Sequence, residues 1–332
     1  MIWTCGQFSF AFSSTKEEQQ QFASTLESSF LESSVVESSI QPNGTSPRLK
    51  APEPGAQRLL GALGKKVQLP LVMGIVNVTP DSFSDGGQFH HRDQAVRHAL
   101  QLVEDGANIL DIGGESSRPD AQPISWQEEC DRVLPVLRIL VPQISIPISI
   151  DTTKPETAER CLDLGASIVN DIRGFRDPAL AQICLPYKPG LLIMHMQGNP
   201  LTMQNIPYYD QVVPETIDFL KNQIDRLLDS GFSLTQLAID PGIGFGKSLD
   251  HNLTILRSLL DYQVLNRPLC LGVSRKSFLG RITDRDVHNR LPGSLAVICY
   301  AQMKHSAQIV RVHDVRETID ILKTIAAIEN AN

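Results

Sequence analysis

No basic excess, no membrane-length apolar run and no paired-cysteine motif occurs in this sequence, and each absence closes a class of function. Lys and Arg number 30 against 37 Asp and Glu, for a net charge of −7. A general nucleic-acid binder needs a basic face for the phosphates, so no nucleic-acid partner is expected. Apolar runs stop short of the ~18 residues that mark a membrane-spanning helix, so no membrane partner is expected either. The 6 cysteines (5, 130, 161, 184, 270 and 299) include no C-x-x-C pair. Reduced thiols buried in a cytoplasmic protein fit that scatter better than a disulfide or zinc framework. The 8 histidines include no H-E-x-x-H.

Two glycine fingerprints are missing as well. The stretch AIDPGIGFGKS (238–248) invites a phosphate-loop reading. That motif needs G-x-x-x-x-G-K-[ST], and its first glycine would fall on Pro241. The dinucleotide pattern G-x-G-x-x-G fails too, because the third glycine would fall on Lys247. Lys247 then reads as a solvated or helix-starting residue.

Residues 1–66 are rich in Ser, Glu, Gln and Pro over much of their length. They are expected to form a low-complexity extension, disordered or loosely helical around 16–38 and dispensable for catalysis. The segment lacks the basic start and apolar stretch of a signal peptide and the Arg-rich, acid-poor composition of an organellar presequence.

From 67 to 330 a rhythm takes over. Apolar, β-branched runs at 71–78, 108–114, 146–151, 167–172, 190–196, 237–242, 268–274 and 308–315 alternate with segments of helical periodicity. Strand alternating with helix predicts right-handed βαβ units and a parallel sheet, and continuous rather than alternating apolar strands suit burial on both faces. Eight units in this span predict a (β/α)8 TIM barrel. A doubly wound open sheet is the alternative, and the missing glycine fingerprint weighs against it.

Each strand run finishes on polar residues: Asn77, Glu115–Ser117–Arg118, Asp151, Asn170–Asp171, His195, Asp240, Ser274–Arg275–Lys276, and Arg311 with His313. In a parallel barrel these ends share one rim, the usual place of an active site. Any one of them alone reads as a helix cap or turn residue, Asn77 before Thr79–Pro80 for example. His195, between two methionines, reads alone as a satisfied core histidine. Together they predict a pocket with anion-binding cations, Arg118, Arg311 and His313, facing an acid and amide set, Asp151, Asn170 and Asp240. A heteroaromatic ring with several N–H donors would satisfy that set.

NVTPDSFSDGG (77–87), DIGGESSRP (111–119), IDTTKPE (150–156), NDI (170–172), MHMQGNP (194–200), DPGIGFGK (240–247), GVSRKSFLG (272–280) and RVHDV (311–315) together resemble the dihydropteroate synthases. The resemblance covers residues 68–330. It implies a transferase of folate biosynthesis that condenses 4-aminobenzoate with 6-hydroxymethyl-7,8-dihydropterin diphosphate, and it implies Mg2+, a homodimer and a cytoplasmic setting. Position by position, it implies that Asn77 binds the metal. Asp151, Asn170, Asp240 and Lys276 hold the pterin, with Met194 and Phe245 lining its slot. Arg118, Arg311 and His313 hold the diphosphate, and Asp151, Lys276, Arg311 and His313 are the expected catalytic groups. Ser117, Arg275 and Ser277 lie by the aminobenzoate, and the loops 77–87 and 113–123 are mobile lids. The family usually has threonine where Ser117 stands, and often D-T-S where this chain has Asp151–Thr152–Thr153. A pterin-binding methyltransferase module and a non-enzymatic pterin binder are the competing readings. The SRKS and RVH segments weigh against the first, and the intact Asn77, Arg118, Lys276 and Arg311 weigh against the second.

Overall fold

In the computed structural model the structure describes residues 1–12, 69–79, 88–116, 121–200, 202, 203, 205 and 207–331. The stretch 16–38, where a loose helix was expected, lies outside them. One unit comprises Met1–Ala11 with Leu69–Ile325, and residues 12–68 and 326–332 belong to another.

The first unit is a parallel barrel. Its strands are β3 (Leu71–Asn77), β4 (Ile109–Gly113), β5 (Ile148–Asp151), β6 (Ile168–Asp171), β7 (Gly190–Met194), β8 (Leu237–Asp240), β9 (Cys270–Gly272) and β10 (Ile309–Val312). They run side by side in the order β8-β7-β6-β5-β4-β3-β10-β9. A parallel bridge from Ile239 to Leu269, with the Ile239 N–H on the Pro268 carbonyl at 2.9 Å, closes β8 onto β9. All eight expected strands are therefore present, and the closed order removes the open-sheet alternative.

Helices lie between successive strands: α1 (Gln88–Glu104), α2 (Trp126–Leu140), α3 (Pro155–Asp163), α4 (Pro178–Cys184), α5 (Val212–Asp229), α6 (Leu249–Arg257), α7 (Ser277–Thr283), α8 (Leu291–Met303) and α9 (Val315–Glu329). Their starts are written locally. Ser125 and Asp177 accept from the backbone N–H of Glu128 and Ala179, and Pro155 and Pro178 occupy first-turn positions where no N–H is missed. Between strands and helices lies one continuous apolar layer, with Val72, Val76, Leu110, Ile112, Ile150, Leu191, Ile193, Ile239, Leu271 and Val310 on its strand side.

The first 11 residues depart from the expectation of a low-complexity extension. They form an antiparallel hairpin of β1 (Ile2–Cys5) and β2 (Phe8–Ala11), turned at Gly6. Trp3 is completely buried, stacks obliquely on Phe10 at 6.0 Å and donates its indole N–H to the Gln236 carbonyl at 3.0 Å. Thr4 bonds Thr235 at 3.3 Å, and the Gly6 N–H reaches the Lys188 carbonyl at 3.3 Å. These partners stand just before β7 and β8, so the hairpin lies against the N-terminal end of the barrel, opposite the rim where the strands finish.

Candidate active site

Two-residue alternation decides which side chains enter the barrel. The outer layer takes Ile148 and Ile150, Val169, Leu237 and Ile239, and Val310 and Val312. The intervening positions therefore face inward: Asp111, Asp151, Asn170, Met194, Asp240 and Arg311. All but Asp111 were expected in the site. Asp111 is the residue the strand-end reading missed, because it stands two places before the end of β4. Its inward parity with Gly113 was the signal available.

Arg311 joins this set into one unit. Its Nε donates to Asp111 at 2.5 Å and its Nη2 to Asp151 at 2.7 Å, while the Asn170 amide donates to the same Asp111 oxygen at 3.2 Å. Asp111 has no exposed surface, and its other carboxylate oxygen has no protein partner. Burial pushes the Asp151 carboxyl up to about 7, against the pull of Arg311 and with help from Asp111 and Glu129. Burial also works against the Arg311 cation, but Asp111 and Asp151 outweigh it and hold its proton more tightly than usual. A guanidinium has five N–H donors, so those two bonds leave donors for an anion above it.

Across the barrel, Asp240 accepts the Gly242 N–H at 2.6 Å. Burial raises its carboxyl above the ordinary range, while Lys276 and the Gly242 N–H pull it down. Lys276 lies over the Phe245 ring at 4.6 Å and donates to the Ile243 carbonyl. Burial lowers its ammonium to about 8, with Asp240 opposing. Phe245 packs on a small apolar cluster of Ile172, Met194, Met196 and Met203, separate from the main core. Acid, amide, cation and an apolar wall are thus brought together in Asp151, Asn170, Asp240, Lys276, Met194 and Phe245.

The stretch 240–247 owes its glycines to close approach. Gly242 and Gly246 have φ of +71° and +62°, and a Cβ on them would stand 1.8 Å from the His195 carbonyl oxygen and 2.5 Å from that of Gln197. Lys247 is not solvated: it is 2 % exposed and hydrogen-bonded to His195. Ser248, the other candidate phosphate ligand, caps α6 by accepting the His251 N–H at 3.1 Å. His195 is a buried, satisfied histidine. Burial, then Lys247 and Arg176, push its pKa down to about 2, so it is neutral.

After β9 and β10, Arg275 forks onto Asp314, with Nε at 3.0 Å. His313 meets the Ser274 hydroxyl through Nδ1 at 3.0 Å. Ser277 opens α7 and is exposed. Ser117 and Arg118 lie outside the described residues, as do 80–87 of the first expected lid. The limbs around 117–120 are described and firmly tied. Glu115 accepts the Ile124 N–H at 3.0 Å and Lys154 at 2.7 Å. Lys154 also reaches Glu129 at 3.3 Å, whose same oxygen accepts the Thr152 and Thr157 hydroxyls at 2.9 and 2.8 Å. A cleft of about 200 Å3 opens here, lined by Glu115, Ser116, Asp151, Thr152, Arg173 and Asn199 among others.

Asn77 ends β3, half-buried at the rim. Among the described residues, no three His, Cys, Asp or Glu side chains gather to hold a metal ion. A cation that keeps most of its water and takes its other oxygens from substrate phosphates needs no such cluster, and a single amide oxygen fits that kind of site.

Residues 73–313 match the family described as pterin binding enzyme. The chain is 43 % identical over 258 residues to the dihydropteroate synthase of Escherichia coli K12, covering 78 % of this chain and 91 % of that protein. Against the Synechocystis dihydropteroate synthase it is 43 % identical over 259 residues, covering 77 % and 89 %. Among solved structures, the Yersinia pestis dihydropteroate synthase in a sulfonamide drug complex superposes with a TM-score of 0.75 at 40 % identity, covering 79 % of this chain and 95 % of that one. The Xanthomonas albilineans dihydropteroate synthase with 7,8-dihydropteroate superposes with a TM-score of 0.73 at 38 % identity, covering 80 % and 96 %.

Proposed function

The chain belongs to the pterin binding enzymes, as a dihydropteroate synthase of folate biosynthesis, and from that premise we propose how its rim residues divide the work. The observation that carries this division is the inward-facing set Asp151, Asn170, Asp240 and Lys276 beside the Met194–Phe245 wall. The ring N–H and amino groups of a dihydropterin are donors, and the buried Asp240 and Asp151 carboxylates with the Asn170 amide are their natural complement. Lys276 supplies a donor for the ring's acceptors, and Phe245 with Met194 covers its face.

The exocyclic methylene of the dihydropterin carries the diphosphate. Its C–O bond breaks with the electron pair leaving on the diphosphate oxygen. The arylamine nitrogen of 4-aminobenzoate then forms the new C–N bond and loses a proton. The electron-rich reduced ring bears the positive charge left on the carbon, stabilised by Asp151 and Asp240. Arg311, with donors remaining beyond its two carboxylate bonds, and His313, oriented by Ser274, face the charge growing on the diphosphate, and Arg118 shares that role. The amine is neutral near pH 7 and needs positioning rather than a strong base. Ser117, Arg275 and Ser277 provide it. Mg2+, held through Asn77 and the substrate's own oxygens, would add charge neutralisation to the leaving group.

Five of the 6 cysteines are buried and none is paired, in keeping with a cytoplasmic setting. No described helix is long and apolar enough to cross a membrane. Exposed Ile282, Val287, Tyr300 and Met303 on and around α7 and α8 supply apolar surface for a homodimer. Residues 67–330 are the catalytic domain in this reading.

The test mixes the purified full chain, Mg2+, the dihydropterin diphosphate and 4-aminobenzoate, and follows diphosphate release and dihydropteroate. Product that requires both substrates is expected. Pterin binding without product would favour a binding module.

A further inference from the structure

The glycine-rich loop leaves one residue without a part in this scheme. Lys247 turns inward beneath the loop. Its Nζ stands 2.9 Å from Nδ1 of His195, 3.1 Å from the Phe245 carbonyl oxygen and 3.5 Å from the His195 carbonyl oxygen. An ammonium has three protons and accepts nothing, so three acceptors match its three donors. In the tautomer with its ring proton on Nε2, His195 accepts this bond at Nδ1. No donor remains for a phosphate, which disposes of the nucleotide-loop reading on geometry as well as on spacing.

The same loop grips His195 a second time, because the His195 N–H donates to the Asp240 carbonyl at 3.0 Å. Asp240 and Lys247, the two ends of the loop, are therefore both fastened to one residue at the end of β7. Burial pulls the Lys247 pKa well below the ordinary lysine range; Asp240 opposes that shift, while Lys276 and Arg176 add to it. The Tyr209 ring lies 6.0 Å away, and the Tyr209 hydroxyl holds the Gly246 carbonyl at 2.9 Å. On the pocket side, Lys276 donates to the Ile243 carbonyl and covers the Phe245 ring. Two lysines thus hold the loop, one from within the protein and one from the pocket.

We propose that Lys247 is a positioning residue for pterin recognition: its Nζ–H groups pin the Phe245 carbonyl to the end of β7, which sets the Phe245 ring against Met194 and aims Asp240 into the barrel. The inference rests on reading Asp240 and Phe245 as pterin-binding residues. A buried hydrogen bond to a charged group, once lost, leaves its acceptors unpaired and the loop free to shift.

The test uses full-length Lys247→Met, which keeps much of the apolar stem and removes the Nζ donors. KM for the dihydropterin diphosphate and pterin Kd by calorimetry should each rise about tenfold or more. KM for 4-aminobenzoate at saturating pterin should stay within about twofold. Unchanged pterin constants in a folded variant would overturn the proposal. So would a lower thermal midpoint with equal losses for both substrates, the mark of a general packing role. Asp240→Ala is measured alongside: if it keeps native pterin affinity, the pterin-site reading fails, and Lys247 is not the cause. Should Lys247→Met not fold, His195→Phe keeps a ring against Phe219 but removes Nδ1, and about a threefold rise in the same pterin constants is expected; no rise would overturn the proposal.

Discussion

Replacing Arg311 by methionine should destabilise the fold as well as the reaction. Arg311 is 19 % exposed at its side chain and sits between Asp111, with none, and Asp151, with 13 %. Without the guanidinium, two carboxylates face each other, and the Asn170 amide at 3.2 Å serves only one Asp111 oxygen. Removing one partner of a buried pair typically costs about 3–5 kcal/mol. The lower end applies near neutral pH, because Asp151, already pushed up to about 7, relieves the strain by taking a proton. Above pH 7 that escape becomes costlier by about 1.4 kcal/mol per pH unit. The native variant then binds a proton that the unfolded chain has lost, so its stability falls as pH rises while the parent's stays level with respect to this group. Urea unfolding at pH 6.5 and 8.5 measures this: a deficit of about 3 kcal/mol at the lower pH, larger at the higher, with the m-value unchanged. Adding Asp111→Asn should recover a large part of it, since the pair is coupled. A loss below about 1 kcal/mol, the size of a surface pair, or a double variant no more stable than the single one, would refute the claim that these groups act as one buried unit.

Asp240→Ala should remove measurable pterin binding by calorimetry, because the ring's donors lose a buried acceptor; native affinity would sink its assignment. Lys276 loses its proton as pH rises through about 8, so kcat/KM for the dihydropterin diphosphate should fall with a midpoint near that value, and Lys276→Arg should carry the fall to higher pH. The stability sign is opposite: its folded value lies below its ordinary 10.5, so its buried charge penalises the fold at low pH and the penalty lifts between about 8 and 10.5. A Lys276→Met variant whose stability tracks the parent across that window would contradict this. Trp3→Ala should cost about 3–5 kcal/mol of unfolding free energy while the folded enzyme keeps its specific activity; a fall in kcat at unchanged stability would mean that the hairpin reaches the chemistry.

Most of the barrel was legible because apolar β-branched runs and helix-like segments alternate eight times, and because polar groups at strand ends must share a rim. What escaped was of two kinds. Asp111 was hidden by counting strand ends instead of following parity. Read two by two, Ile109, Asp111 and Gly113 face the barrel, while Leu110 and Ile112 face the helices. Lys247 escaped through distance: a lysine after three glycines and a proline looks solvated until β7 is brought beneath it. The hairpin at 2–11 carried a local signal, Trp3 and Phe10 around a Cys5–Gly6–Gln7 turn, but the composition of the next fifty residues masked it. Nothing nearby told that its partners would be Lys188 and Gln236.

That separation has a consequence in time. The indole of Trp3 finds its acceptor 233 positions further along the chain, so the hairpin has no place to dock until β7 and β8 have been made. At synthesis rates of about 5–20 residues per second, its apolar side chains wait roughly 10–45 s beyond the ribosome exit. Barrel closure comes later still, since Arg311 must meet Asp111 across 200 positions. Residues 2–11 are thus made before their docking partners and settle only after them.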